Sequence, residues 1–176
     1  KSRMMEWHYA RNTVDRVEKF KYFVEEVLME KRGEKLVLEL AKRFSDLTRI
    51  AIIQCPMIEG ALEFLNRHYQ LSPLFLVSAT PQKELEYILG TRGLMDFFKK
   101  VFGAPINKKD TLAEILSMEN VSSKESIYIG DSHEDQAAAS FHGIEFIGIR
   151  SSHKLENQKK IFPDFVSLNH YLDENY

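Results

Sequence analysis

Four short apolar runs, set off by stretches of helical spacing, constrain this chain more than any other feature. Leu74-Phe75-Leu76-Val77, Val101-Phe102 and the runs at 126–129 and 145–149 read as buried strands, while 60–68, 82–89, 111–118 and 134–142 carry the spacing of amphipathic helices. A repeated β-then-α order folds as helices on both faces of a mainly parallel sheet, so residues 55–176 are expected to form a doubly wound, Rossmann-like α/β core. Asp164-Phe165-Val166-Ser167 reads as a last extended piece before a terminal segment at 168–172.

Ahead of this alternation the pattern is helical throughout. Val17, Phe20, Val24, Val27 and Leu28, then Val37, Leu40, Ala41, Phe44 and Leu47, predict two amphipathic helices joined at Lys31-Arg32-Gly33-Glu34. Asn12 or Thr13 can cap the first, and the second ends near Gln54-Cys55-Pro56. Residues 1–54 are therefore expected to form a helical subdomain, with Trp7, Tyr9, Phe20, Tyr22 and Phe23 packing its helices. A chain of 176 residues that is 44% hydrophobic can bury one core plus such an accessory.

Charge and ends narrow the function classes. Lysine and arginine total 24 against 26 acidic residues, and a net charge of −2 gives a nucleic acid no electrostatic foothold. No apolar run approaches the roughly 20 residues that span a bilayer, and the first residues have no secretory h-region, so a cytoplasmic protein without a membrane partner is expected. The chain opens on Lys1 and not on methionine, and translation is expected to begin upstream. The one cysteine, Cys55, excludes an internal disulfide and reads as a buried small apolar residue.

Three polar clusters each follow a strand, and a parallel sheet would bring them to its carboxyl edge, where such folds bind ligands. Ser78-Ala79-Thr80 offers hydroxyls and amides to an anion, or alternatively an N-cap to the next helix. Gly103-Ala104-Pro105-Ile106-Asn107-Lys108-Lys109-Asp110 reads as a loop that presents an ammonium group suited to neutralising a phosphoryl oxygen. Gly130-Asp131-Ser132-His133-Glu134-Asp135 places two carboxylates four residues apart, and crowded carboxylates need a hard cation or a lysine to compensate them. His133 lies inside this turn, within reach of a substrate or metal. His8, His68, His153 and His170 show no metal-ligand spacing and read as core or surface residues.

These three clusters, in this order, resemble the second, third and fourth motifs of the haloacid dehalogenase-like hydrolases, in particular the phosphoglycolate-phosphatase-like members with a helical cap. The helical segment, including Asp15-Arg16-Val17-Glu18-Lys19-Phe20, is similar to the later helices of that cap. The resemblance implies a magnesium-dependent phosphatase acting on a small phosphorylated metabolite. Ser78, with Ala79 and Thr80 beside it, would hold the phosphoryl group, and Lys108 would stabilise its charge, with Lys109 as rival for the role. Asp131 would ligate magnesium, and Asp135 would support the metal or pair with the lysine. The family's first motif, Asp-x-Asp-x-Thr, occurs nowhere in these residues, so its nucleophile, and the strand expected to lie between those ending at Ser78 and Gly130, are expected upstream of Lys1. Two alternatives stay open: a non-catalytic phosphate-binding domain, and a haloacid dehalogenase, which needs no metal. A phosphorylated receiver domain is disfavoured because its acids come early in the chain, and oligomeric state and substrate identity are not legible.

Overall fold

The computed structural model describes residues 16–30, 33–151, 155 and 158–176. The caps expected at Asn12 or Thr13, together with Trp7, Tyr9, His8 and His153, lie outside them. The chain divides into two compact units, Lys1–Cys55 and Pro56–Tyr176.

In the first unit, α1 (Arg16–Tyr22) runs into a single π-type turn at Phe23–Val27, and α2 spans Glu34–Gln54. The two pack through the positions that the helical spacing selects. Phe20 meets Phe44 edge to face at 5.8 Å, and Val24, Val37 and Ala41 are buried. Cys55 corrects the reading of a buried residue: it is exposed, standing as the extended C-cap at which α2 ends ahead of Pro56. Its thiol donates to the Ile52 carbonyl at 3.2 Å.

The second unit alternates as expected: α3 (Ala61–His68), β1 (Phe75–Pro81), α4 (Gln82–Thr91), β2 (Lys100–Ala104), α5 (Lys108–Glu119), β3 (Ile127–Gly130), α6 (His133–His142), β4 (Glu145–Ile149), β5 (Ile161–Phe162) and α7 (Phe165–Asn175). All pairings are parallel. Among the described residues the strands form two sheets, β1-β2 and β3-β4-β5, so β1 and β3 each pair on one side only.

Side-chain alternation along β4 shows the layering. Phe146 enters a cluster with Leu112 and Ile115 of α5 and Ala138 and Ala139 of α6, while Ile147 and Ile149 enter a second cluster with Phe64 of α3 and Leu168 and Leu172 of α7. The sheet is thus covered on both faces, and Phe102 of β2 shares the first cluster, which joins the two sheets through one apolar layer.

Two boundaries differ from expectation. Helix α5 begins at Lys108 and not at Thr111, because Asn107 caps it: its side chain accepts from Lys109 N at 3.0 Å, and its carbonyl accepts from the Thr111 hydroxyl. Lys108 and Lys109 therefore sit in the first turn of a helix rather than in a loop. The stretch at 164–167 is not extended either. Asp164 accepts from Ser167 N at 2.8 Å and starts α7, whose apolar faces at Leu168 and Leu172 continue the helical period.

Candidate active site

The acidic turn after β3 is organised by a reciprocal capping arrangement. Ser132 is the N-cap of α6, and its hydroxyl accepts from Asp135 N at 3.2 Å, while Asp135 Oδ2 accepts from Ser132 N at 3.2 Å and from the Ser132 hydroxyl at 2.6 Å. The other oxygen, Oδ1, accepts from Lys108 Nζ at 2.6 Å and from the Tyr128 hydroxyl at 2.7 Å. A carboxylate offers about four acceptor positions, and all of them are used within the protein.

This network is mostly withdrawn from water, with the Asp135 side chain 9% and the Lys108 side chain 23% exposed. Burial alone would raise the Asp135 carboxyl, but the hydrogen bonds from Lys108 and Ser132 outweigh it and hold the group below its ordinary value. Burial, then the neighbouring Asp135 charge, push the Tyr128 phenol far above its ordinary range, so it stays a donor. Tyr128 is the member of this network that motif reading misses. Its signal is a phenol within an otherwise aliphatic strand, which when buried requires a partner.

Gly130 fits here because a side chain does not. A Cβ at that position would lie 2.7 Å from Asp135 Cβ and 2.8 Å from its Cγ. Gly130→Ala is expected to push Asp135 off Lys108 and to cost about 1–3 kcal/mol, as overpacking does. Thermal or denaturant unfolding checks this, and an unchanged midpoint would show that the turn accommodates the methyl group.

Ser78, Ala79 and Thr80 occupy a bulge rather than a helix cap. Val77 pairs with Phe102 and Pro81 with Ala104, so β1 spends four residues where β2 spends two. Within the bulge Ser78 Oγ accepts from Thr80 N at 3.1 Å, and Pro81, the N-cap of α4, makes no side-chain capping bond. Lys109 is engaged elsewhere: its ammonium sits 4.6 Å over the Phe141 ring and its carbonyl meets His142 Nε2 at 2.7 Å. His133 is exposed. His68 stacks on Phe64 at 4.5 Å.

The structure therefore joins Lys108 to Asp135 directly. Because Lys108 follows β2 by four residues and Asp135 follows β3 by five, their contact sets the carboxyl ends of both sheets side by side. Asp131 lies at the end of β3 and the bulge at the end of β1, on the same edge.

A family model described as haloacid dehalogenase-like hydrolase matches residues 5–149. The chain belongs to this family. Solved structures show the same fold at low identity. A HAD-hydrolase of Bacillus subtilis, YfnB, bound to magnesium, is 17% identical with a TM-score of 0.76, covering 98% of this chain and 83% of that one. A predicted phosphoglycolate phosphatase of Haemophilus somnus is 16% identical with a TM-score of 0.74, covering 89% and 75%. A subfamily IA hydrolase of Geobacter sulfurreducens is 17% identical with a TM-score of 0.67, covering 92% and 74%. No curated protein matches the chain.

Among the described residues no three His, Cys, Asp or Glu side chains are grouped to hold a metal ion, and no helix is long and apolar enough to cross a membrane. With the acceptor positions of Asp135 filled, Asp131 is the one of the two sequence-predicted carboxylates that could ligate a cation at this edge. Magnesium keeps several waters and takes one or two carboxylates beside substrate phosphate oxygens, so a single carboxylate here is compatible with it.

Proposed function

We propose that residues 55–176 are the α/β core, and residues 1–54 part of the helical cap, of a magnesium-dependent phosphatase that hydrolyses a small phosphomonoester through an aspartyl-phosphate intermediate. The observation that carries this reading is the buried Lys108–Asp135 pair, which fixes an ammonium group at the sheet edge where the Ser78 bulge and Asp131 also end. Phosphoryl transfer needs chiefly positioned charge and hydrogen-bond donors, and these residues supply them.

In this reading the Ser78 hydroxyl, helped by the Ala79 amide of the bulge, donates to phosphoryl oxygens, with the Thr80 amide holding Ser78 Oγ in place, while Lys108 neutralises charge on the phosphate and on its attacking carboxylate. Asp135 acts by holding Lys108, and not as a direct metal ligand, since its acceptor positions are filled. Asp131 would hold magnesium, whose chemistry is charge neutralisation and orientation of the phosphate. The nucleophile comes from sequence outside these 176 residues, which contain no Asp-x-Asp. This reading puts its strand between β1 and β3. Among the described residues each of these strands pairs on one side only, and native sheets avoid leaving such edges open. A net charge of −2 favours a small phosphorylated metabolite over a nucleic acid.

The test is hydrolysis of p-nitrophenyl phosphate by the full-length protein across a magnesium titration. Asp131→Asn is expected to raise the magnesium needed for half-activation by about tenfold or more, the scale on which metal sites respond to lost contacts, while the unfolding midpoint moves little. Unchanged magnesium dependence and turnover would overturn the assignment.

A further inference from the structure

The bulge in β1 raises a question that the site residues do not answer: what holds it open. Pro81 pairs with Ala104 although neither Pro81 nor Pro105 carries an N–H, so the N–H and carbonyl of Ala104 make that rung; by strand alternation the polar groups of Lys100, Phe102 and Ala104 face β1, and those of Val101 and Gly103 face the opposite edge of β2. The register of β1 slips between Phe102 and Ala104, alongside Gly103. On that opposite edge the side-chain amide of Gln82, the first residue of α4, bridges the groups of Val101 and Gly103. Its Nε2 donates to the Val101 carbonyl at 3.2 Å and its Oε1 accepts from Gly103 N–H. The same Nε2 donates to Glu86 Oε1 at 2.7 Å, one turn along α4, which fixes the rotamer. An amide that accepts from residue 103 and donates to residue 101 offers β2 the two groups that a residue of a neighbouring parallel strand would offer.

We propose that Gln82 is a positioning residue: its side-chain amide supplies Val101 and Gly103 with the rung that a neighbouring strand would supply, and so ties the residue just after the bulge to β2 and holds residues 78–80 in the turn that receives an anionic oxygen. The anion-binding half rests on the phosphatase reading, while the rung made by Gln82 stands on geometry alone. Gly103 belongs to the same device. A Cβ there would lie 2.6 Å from Gln82 Cα and 2.7 Å from the Thr80 carbonyl oxygen, so only glycine lets β2, Gln82 and the bulge meet. The sequence holds both halves in Pro81-Gln82 and Phe102-Gly103.

The experiment is residue-resolved amide hydrogen exchange on the full-length protein, with a parallel titration of inorganic phosphate followed by the amide resonances of residues 78–80. Gln82→Met keeps the length of the side chain and removes both hydrogen bonds. It is expected to speed exchange at Gly103 by about tenfold or more, the factor that corresponds to about 1.4 kcal/mol, with Ile147 of β4 unchanged. Gln82→Glu keeps the acceptor for Gly103 N–H and is expected to restore most of that protection, which a merely space-filling role would not do. Phosphate affinity at residues 78–80 is expected to fall at least severalfold in Gln82→Met. Wild-type protection of Gly103 in Gln82→Met would overturn the rung. Intact phosphate binding despite lost protection would overturn its role in shaping the turn. Silence of the wild-type 78–80 amides towards phosphate would instead sink the phosphatase reading, leaving Gly103 exchange to decide on Gln82.

Discussion

Asp135→Ala is expected to lower stability by about 3–5 kcal/mol at neutral pH, the cost of removing one partner from a buried charge pair. The lost carboxylate leaves the Lys108 ammonium, the Tyr128 hydroxyl and the Ser132 N–H and hydroxyl facing no acceptor. Those donors belong to three different elements, the first turn of α5, strand β3 and the start of α6, so the damage is not confined to one turn. Against a domain stability of about 5–15 kcal/mol this is a large fraction. The pH dependence has a definite sign. A carboxyl group held below its unfolded value contributes stability that is complete above that value and is lost as pH falls through the folded one. The gap between wild type and variant should therefore be full at neutral pH and close as the pH falls below 3.8, the ordinary aspartate value. Denaturant unfolding at several pH values measures it. A loss below about 1 kcal/mol would put the pair among ordinary surface ion pairs and remove the basis for treating it as the organiser of the edge.

The parallel core was legible because its signal is periodic. The runs at 74–77, 101–102, 126–129 and 145–149 each fall within β1 to β4 or overlap them by all but one residue, and the helices between were placed to within three residues at either end. What escaped was carried by single polar residues rather than by a period. Asn107 and Asp164 start α5 and α7 by capping, and each precedes a polar or mixed stretch that hydrophobic spacing reads as a loop. The bulge at 78–80 was invisible because it depends on register with β2, a contact distant in sequence, and on Gln82 reaching across to it. The motifs at Lys108, Asp131 and Asp135 could be placed at one edge, but the sequence left Asp135 open between metal and lysine. The hydrogen bonds that saturate it, one of them from Tyr128, exist only once β3, α5 and α6 are packed.

The two lysines that the sequence could not separate should differ sharply. Lys108→Ala is expected to reduce phosphomonoester turnover of the full-length protein by about 10²-fold or more, the scale for loss of a preorganised charge-stabilising group. Lys109→Ala should stay near wild type, since its ammonium lies over the exposed Phe141 ring, a contact worth about 0.5–1 kcal/mol at such a site. The Lys108 variant also carries a signature in stability that loss of a remote surface charge cannot mimic. Without the ammonium, the burial that raises the Asp135 carboxyl is opposed chiefly by Ser132 and Tyr128, so the group rises relative to wild type. Its stabilising contribution at neutral pH shrinks accordingly, and the deficit of Lys108→Ala should be greatest near neutrality and narrow in acid, where wild-type Asp135 is itself protonated. Lys109→Ala should run parallel to wild type across the same range. Steady-state kinetics and pH-dependent unfolding on the two variants read both effects. The reverse pattern, with Lys109 controlling turnover and Lys108 silent, would mean that the Lys108–Asp135 pair is a structural tie and that the phosphate is met from the neighbouring face of α5.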